Sequence, residues 1–126
     1  MDHNSVTAAL HAQRLLETKT KLKNRMYNKE NLANLKNLEN LAPEVAKAFW
    51  IFDKAAVADG AIPVKYKELI AIAVALTTQC PYCVEIHRNN ARKAGVTDAE
   101  LAETAMIAAA LRAGAAVTHS SHLFKS

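Results

Sequence analysis

The sequence predicts an all-α fold of about six helices. Alanine is abundant, whereas aromatic residues make up only 6% of the chain, and this balance favours closely packed helices over a sheet. Only three glycines and three prolines occur, so the chain has few turns, unlike a β protein. Its 126 residues are one domain by length, without an internal repeat or a linker.

The first 30 residues are expected to form an N-terminal extension to a core at residues 31–124. We expect a helix over residues 5–18 and then an irregular basic arm over residues 19–30. The cations of this arm are Lys19, Lys21, Lys23, Arg25 and Lys29. They supply much of the net charge of +4, but no nucleic-acid recognition element accompanies them. We interpret the arm as a solvated surface segment and expect no nucleic-acid partner.

Apolar spacing and terminal residues predict the helices of the core. Leu32, Leu35, Leu38 and Leu41 recur every three residues, as on one face of a short helix. The expected ends of the later helices are Pro43 and Gly60, Pro63 and about Leu76, Pro81 and Gly95, and Thr97 and about Leu123. The helix after Pro63 is apolar nearly all round beyond Glu68, so it should be central and buried. A break or a close helix contact is expected at Gly114.

Composition also bears on the surroundings of the chain. Apolar residues reach 51%, which is slightly rich for a domain of this size and predicts that another subunit covers part of the surface. No basic segment followed by an apolar core marks the N-terminus, and the longest uninterrupted apolar runs are far shorter than a membrane span. We therefore expect a cytoplasmic protein without a membrane partner.

The most informative segment reads Glu68-x11-Cys80-Pro81-Tyr82-Cys83-x3-His87. It holds both cysteines of the chain at C-x-x-C spacing, which can close a disulfide or bind a soft metal. The cytoplasm keeps such a pair reduced at rest, so a catalytic or metal-binding role is favoured over a structural disulfide. Together with Glu68 and His87 the cysteines are a chemically possible zinc set, although structural zinc prefers two well-separated ligand pairs.

Positions on the expected helix assign roles to the two thiols. Pro81 suits the first helical position, which puts Cys80 near the N-cap and Cys83 in the first turn, where the helix dipole favours a thiolate. His87, four residues after Cys83, lies on the same face and can take its proton. We expect Cys83 to attack peroxide, Cys80 to resolve the sulfenic acid as a disulfide, and Glu68 to orient His87 or accept a proton. Spacing alone does not force that last contact, which requires a steep crossing of two helices.

Four further side chains are weaker candidates. Tyr82 and Tyr66 could shape a substrate pocket, with ordinary packing as the alternative. His119 and His122 could share a helix face and bind a metal, but polar residues on a last helical turn are the simpler interpretation. We therefore expect no metal and no other cofactor.

At these residues the chain resembles the alkylhydroperoxidase D-like family, within the wider carboxymuconolactone decarboxylase superfamily. The resemblance extends over residues 35 to about 123 and is strongest over residues 61–87, where the Glu-x11-Cys-x2-Cys-x3-His pattern of the family is met in full. The later run from Arg112 to His119 also resembles small members of this group. The chain departs from better-known members in two ways. Tyr82 stands where they have a histidine, and the chain lacks their duplicated helical half.

The resemblance implies an all-α domain that assembles as trimers or as hexamers of trimers, and the missing half favours the hexamer. It implies a cofactor-free thiol peroxidase that reduces hydroperoxides in antioxidant defence, with a proton relay through Glu68, His87 and Cys83. A thioredoxin-like or lipoyl dithiol is the expected reductant. The alternatives are a redox carrier that feeds a separate peroxidase and, ranked lower, a zinc-binding structural protein or a carboxymuconolactone decarboxylase, since the true decarboxylases lack the cysteine pair.

Overall fold

The computed structural model describes residues 3–23 and 27–124. In chain order its elements are α1 (His3–Lys23), a 3-10 helix (Lys29–Leu35), α2 (Lys36–Leu41), α3 (Pro43–Val57), α4 (Val64–Thr77), α5 (Pro81–Lys93), α6 (Asp98–His119) and a second 3-10 helix (Ser120–Phe124). These ranges contain six α-helices and no strand, which confirms the predicted all-α class and the number of helices.

The N-terminal helix is longer than the sequence predicts. α1 continues to Lys23, so residues 19–23 of the expected arm are helical rather than irregular. Lysine and leucine dominate this stretch, and both are good helix formers, so local propensity extends the helix. Arg25 lies outside the described residues. The three-residue leucine step begins in the 3-10 helix Lys29–Leu35, whose three residues per turn match that step better than an α-helix does.

The connection between α3 and α4 is held by side chains. The prediction that Gly60 ends α3 is wrong, because the helix ends at Val57 and Ala58 is already extended. Lys67 of α4 donates to the carbonyl oxygens of Ala56 and Ala58 at 3.0 and 2.5 Å, so a cation rather than a glycine satisfies the end of α3. The position of Lys67 therefore depends on how α4 packs against α3, which local sequence does not encode.

The core forms where α4 packs against α5 and α6. Its centre contains Ile72 of α4, Ala91 of α5 and Val96, each at most 5% exposed. Only one side of α4 is covered in this way, since Ile70 and Val74 are 52% and 54% exposed. The expectation that α4 is buried all round is therefore wrong for the isolated chain, in which the described residues leave that side exposed.

The connection between α5 and α6 follows the prediction closely. Gly95 adopts a left-handed φ of 81°, and the N–H of Val96 donates to the carbonyl of Ala91 at 3.0 Å, so the helix stops where predicted. Thr97 and Glu100 form the predicted capping box: the hydroxyl of Thr97 accepts from the N–H of Glu100, and the carboxylate of Glu100 accepts from the N–H of Thr97.

α6 is long, continuous through its glycine and largely uncovered. The predicted break or close helix contact at Gly114 is wrong, because α6 continues to His119, and no described residue of another element comes within 4 Å of where a Cβ of Gly114 would be. Leu111 and Val117 are 70% and 72% exposed. By length and composition the segment Asp98–Phe124 could cross a membrane, a feature that short apolar runs do not reveal. That is weak support for a span, because a helix covered by other protein has the same composition.

Candidate active site

The two cysteines lie at the junction of α4 and α5, joined as a disulfide with their Cα atoms 5.3 Å apart. Gln79 makes this junction tight by adopting a left-handed φ of 56°. The N–H of Cys80 then donates to the carbonyl of Ala75 at 3.0 Å, closing the end of α4 in the same manner as Gly95 closes α5. Cys80 is the N-cap of α5 and Pro81 its first residue, as the sequence predicts.

The sulfur of Cys80 takes the place of a polar N-cap side chain. Its Sγ accepts from the N–H of Cys83 at 3.2 Å, so one of the unpaired donors at the start of α5 faces a sulfur. The same donor favours a negatively charged sulfur when the disulfide is reduced. The start of α5 therefore offers this donor to Cys80, whereas the sequence pattern assigned the effect of the helix terminus to Cys83.

Glu68 and His87 meet across the contact between α4 and α5. Nδ1 of His87 and Oε2 of Glu68 are 2.7 Å apart, and Glu68 is only 3% exposed. The neighbouring cations of Glu68 are turned to other partners: Lys65 pairs with Glu100 of α6, and Lys67 with the end of α3. With Glu68 ionised, Nδ1–H donates to it, and Nε2 keeps the lone pair that can accept a thiol proton.

A cavity of about 460 Å³ opens beside the disulfide. Its apolar wall is formed by Leu32, Leu35, Phe49, Trp50, Val57 and Ile86. Cys83 and His87 also line it, whereas Cys80 is not among the described residues that do. Phe49 is 53% exposed, so the cavity is open to solvent on one side. A small molecule can therefore reach Cys83 and His87 from the same space.

Tyr82 is fixed by residues from the N-terminal part of the chain. Its hydroxyl accepts from the N–H of Asn28 at 3.2 Å and from Nδ2 of Asn31 at 3.3 Å, and its ring lies 4.9 Å from the ring of Tyr27. Tyr82 lines the cavity, and its part in a substrate pocket stays a prediction. Tyr66 is not among the described residues that line it and is 54% exposed on α4, so the structure does not bring it to the same cavity.

Glu85 is a second attachment point for the same N-terminal segment, and the sequence pattern did not single it out. Its carboxylate accepts from the hydroxyl of Tyr27 at 2.5 Å and pairs with Lys29 at 2.9 Å. The hydrogen bond from Tyr27, followed by that from Lys29, lowers the pKa of Glu85, and the same hydrogen bond raises the pKa of Tyr27. We call residues 27–35 the strap, because they run from these contacts into the cavity wall.

The remaining candidates lie apart from this site. His119 ends α6 and His122 lies in the following 3-10 helix, with ring centroids 4.9 Å apart. Neither lines the cavity beside Cys83. Among the described residues, no group of three or more histidine, cysteine, aspartate or glutamate side chains is arranged to hold a metal ion.

Known proteins related to this chain are similar in sequence and in fold. Residues 43–126 match the model of the carboxymuconolactone decarboxylase family. An uncharacterized protein of the cox locus of Paracoccus denitrificans is 47% identical over 57% of this chain, and an uncharacterized protein of Cupriavidus necator is 40% identical over 52% of it. These matches span 65% and 58% of the two relatives, so this chain covers less than two thirds of either.

Two crystal structures are also similar over most of the chain. A protein from Methanobacterium thermoautotrophicum is 35% identical with a TM-score of 0.66, covering 72% of this chain and 99% of its own. The apo form of a carboxymuconolactone decarboxylase family protein from Legionella pneumophila is 33% identical with a TM-score of 0.63, covering 74% and 83%. The family indicated by the sequence match is therefore also the family of a protein with a similar fold.

Proposed function

Since the chain belongs to the carboxymuconolactone decarboxylase family, we propose that it works there as a thiol-dependent peroxidase, reducing hydroperoxides through a Cys80–Cys83 disulfide cycle in antioxidant defence. One observation carries the proposal: a disulfide at the start of α5 opens onto a cavity that it shares with a histidine held by a buried glutamate. The decarboxylase activity in the family name is ranked lower, because it needs no cysteine pair.

The cycle begins with both thiols reduced. Nε2 of His87 takes the proton of Cys83, and the thiolate attacks one peroxide oxygen, so that the O–O bond breaks. The departing oxygen takes the proton back from His87 and leaves as an alcohol or as water, while Cys83 becomes a sulfenic acid. The thiol of Cys80 then attacks that sulfur, a disulfide forms, and water leaves.

Reduction of the disulfide completes the cycle. We propose a thioredoxin-like or lipoyl dithiol as the donor, which gives two electrons and two protons by exchange and becomes a disulfide itself. The N–H of Cys83 lies 3.2 Å from Sγ of Cys80, and this contact stabilises Cys80 as the leaving thiolate when the donor attacks Cys83. No cofactor takes part in any of these steps.

The assembly and location of the protein belong to the same proposal. Large apolar side chains on α4 and α6 are exposed in the single chain, among them Ile70 at 52% and Leu111 at 70%. Isolated domains seldom leave that much apolar surface in water, so we propose a homohexamer or homotrimer in the cytoplasm. Neither a membrane nor a nucleic acid is needed as a partner.

A redox carrier is the second candidate, and Tyr82 favours it. Better-known family members that resemble this chain have a histidine at that position, and the hydroxyl of Tyr82 is engaged by Asn28 and Asn31. Such a carrier would exchange disulfides quickly with a dithiol and with a separate peroxidase. It would turn over peroxide negligibly by itself.

The test compares wild type with Cys83→Ser and Cys80→Ser by thiol count and intact mass, before and after one equivalent of hydroperoxide. The peroxidase predicts loss of both thiols and about 2 Da in wild type, and a gain of about 16 Da in Cys80→Ser as Cys83 becomes a sulfenic acid. It predicts neither change in Cys83→Ser. Unreactive thiols in wild type, with rapid exchange against a dithiol, would favour the carrier and contradict peroxidase activity.

A further inference from the structure

The strap is attached to α5 at a residue that lies between the two cysteines. The hydroxyl of Tyr82 accepts hydrogen bonds from the N–H of Asn28 at 3.2 Å and from Nδ2 of Asn31 at 3.3 Å. The ring of Tyr27 packs against the ring of Tyr82, with centroids 4.9 Å apart. Three residues of the strap therefore contact one side chain inside the C-x-x-C segment, so the position of that side chain and the docking of the strap depend on each other.

A second attachment of the strap, Glu85, lies two residues after Cys83. The carboxylate of Glu85 accepts from the hydroxyl of Tyr27 at 2.5 Å and pairs with Nζ of Lys29 at 2.9 Å. No residue of the 3-10 helix Lys29–Leu35 is fully buried, so the strap has no apolar anchor of its own in the core. These polar contacts with the start of α5 therefore provide much of its attachment.

Reduction of the disulfide changes the turn on which the strap docks. A dithiol adds two electrons and two protons to the pair, the S–S bond breaks, and the two thiols cannot remain at covalent distance. Cys80 and Cys83 are the two ends of this turn, so separation of their sulfurs displaces the residues between them, Tyr82 included. Hydrogen bonds weaken steeply with distance and angle, and the contacts of the strap with Tyr82 have their good geometry in the disulfide form.

The strap belongs to a part of the chain that the family match does not include. The match begins at residue 43, whereas the strap ends at residue 35. Leu32 and Leu35 of the strap line the same cavity as Cys83 and form part of its apolar wall. A strap that docks less firmly therefore also widens the access to Cys83.

We propose that the strap docks more firmly on the disulfide form than on the dithiol form, and that its Tyr27 and Asn31 are positioning residues that lower the reduction potential of the cysteine pair. Thermodynamic linkage connects the two statements, because contacts that favour the disulfide form make that form harder to reduce by the same factor. Reduction loosens the strap and opens the cavity, and oxidation closes it again. The inference rests on the thiol–disulfide cycle of the proposed function, but not on the oxidant.

The reduction potential provides the first test. The full chain is equilibrated with glutathione or dithiothreitol at fixed ratios of thiol to disulfide, and the reduced fraction is counted by alkylation and intact mass. Asn31→Ala removes one donor to Tyr82 and is expected to shift the equilibrium toward the dithiol form roughly fivefold, which raises the potential by about 20 mV. Tyr27→Phe keeps the ring, removes the donor to Glu85 and should shift the potential in the same direction.

The matched control is Asn34→Ala. Asn34 lies on the same 3-10 helix as Asn31 and is exposed, but it is not among the described residues that line the cavity. The potential of this variant should equal that of wild type.

A double variant tests whether Asn31 acts through Tyr82. Tyr82→Phe removes the hydroxyl that accepts from the strap, so Asn31→Ala should have no further effect on the potential in that background. A general loosening of the fold would instead give the same shift with and without this hydroxyl. Circular dichroism checks that each variant keeps its helices, and Tyr27→Phe, whose hydrogen bond is to Glu85, preserves the test if Tyr82→Phe does not fold.

Hydrogen exchange measures the docking of the strap directly. In wild type, the backbone amides of residues 27–35 should exchange roughly fivefold faster in the dithiol form than in the disulfide form, as followed by mass spectrometry of the corresponding peptides. The amides of residues 98–105, which follow the capping box at the start of α6, are the internal reference and should exchange at equal rates in the two forms.

The outcomes separate this inference from the proposed function. A raised potential in Asn31→Ala and faster exchange of the strap on reduction, without any peroxide turnover, would support the role of the strap and refute the peroxidase. Peroxide turnover with an unchanged or lowered potential in both Asn31→Ala and Tyr27→Phe would overturn that role and leave the peroxidase standing. Equal exchange of the strap in the two redox forms would overturn it as well. A cysteine pair that does not equilibrate with either thiol would contradict both proposals.

Discussion

A buried carboxylate such as Glu68 has to be paired, because an isolated charge in the protein interior is very costly. Its partner at 2.7 Å is Nδ1 of His87, which fixes both the ring orientation and the position of Nε2. The chemistry proposed for Cys83 therefore depends on a residue that does not line the cavity itself. In the proposed mechanism Glu68 acts through His87, as a positioning residue.

The first prediction concerns this pair. Glu68→Gln keeps the shape of the side chain but removes the charge that orients His87. Peroxidase kcat/KM is expected to fall by roughly tenfold or more. General acid–base catalysis accelerates a reaction by about 10²–10⁴-fold, and His87 should lose part of that acceleration when Glu68 no longer orients it. Alkylation of Cys83 in a Cys80→Ser background should slow at neutral pH as well, which a purely structural role would not cause.

The matched control for this prediction is Glu103→Gln, which makes the same change at an exposed position of α6. Wild-type rates are expected in that variant. Equal rates of turnover and alkylation in Glu68→Gln and wild type, with the fold retained, would contradict the role assigned to Glu68.

Gln79 is a residue that pays a conformational cost to place Cys80. Its φ of 56° lies in the left-handed region, which costs a side-chain-bearing residue roughly 1–2 kcal/mol. Gln79→Gly is therefore expected to raise the free energy of unfolding by about 0.5–1 kcal/mol, after the greater freedom of glycine in the unfolded chain is deducted. Urea unfolding at fixed protein concentration measures this change.

Gly95 offers the matched control for Gln79, because it occupies the equivalent position between α5 and α6 with φ of 81°. Apart from its chain neighbours, no described residue comes within 4 Å of the position of an added Cβ, so Gly95→Ala tests backbone conformation without a steric clash. It is expected to destabilise by about 1 kcal/mol. Changes of the same sign in the two variants would refute this account.

At the scale of elements, the connection of α4 to α6 depends on charge. Glu100 accepts from Lys65 of α4 and from the N–H of Thr97, and these two contacts lower its pKa from 4.5 to about 2. Since the folded-state pKa is the lower one, the ionised carboxylate stabilises the fold fully above pH 4.5. That stabilisation is lost as the pH falls from 4.5 toward 2.

The corresponding prediction uses Glu100→Gln. The variant should melt at a lower temperature than wild type near neutral pH, and the difference should shrink as the pH falls below 4.5. Thermal unfolding followed by circular dichroism over this pH range measures both. A difference that stays constant with pH would mean that the charge of Glu100 does not contribute, and only its shape matters.

Residues adjacent in sequence predicted the starts of some helices and the candidate residues of the site. Contacts between helices determined the other helix ends and the arrangement of the site. Pro81 and the Thr97 capping box start α5 and α6 as expected, because a helix start depends on a few adjacent residues. The end of α3 depends on Lys67 of another helix, which spacing does not reveal. The pattern identified Glu68 and His87 as candidates, but only the packing of α4 against α5 brings them into contact.

The strap illustrates the same limit over a longer range. Tyr27 and Glu85 are hydrogen-bonded but lie 58 residues apart in sequence. Neither residue belongs to a motif that would have predicted this contact. Polar and basic residues 19–30 suggested a solvated arm, yet Tyr27, Asn28 and Lys29 bind α5. Only the folded chain reveals that the strap forms one side of the cavity beside the disulfide.

At the scale of the whole molecule, the isolated chain leaves much of its apolar surface in water. α4 and α6 together form a groove lined by Val74, Ile107 and Leu111, each at least 54% exposed. A folded domain rarely keeps such a surface uncovered, and the length and composition of α6 suit either a subunit interface or a membrane. The polar start of α6, with Asp98 and Glu100 in its first turn, favours the interface.

The last prediction follows from this choice. In light scattering the purified protein should have a mass that is a three- or sixfold multiple of the 13.7 kDa chain, and it should fractionate without membranes. Leu111→Lys places a charge in the groove between α4 and α6, and is expected to shift the mass toward the monomer, because burying an unpaired cation costs several kcal/mol. Glu103→Lys, a charge substitution on the exposed polar part of α6, should leave the mass unchanged. A wild-type monomer, or recovery of the protein with membranes, would contradict the assignment of this face to subunit contacts. A shift of Leu111→Lys toward the monomer would instead show that the groove is buried between subunits, which explains why the apolar content is high for so short a chain.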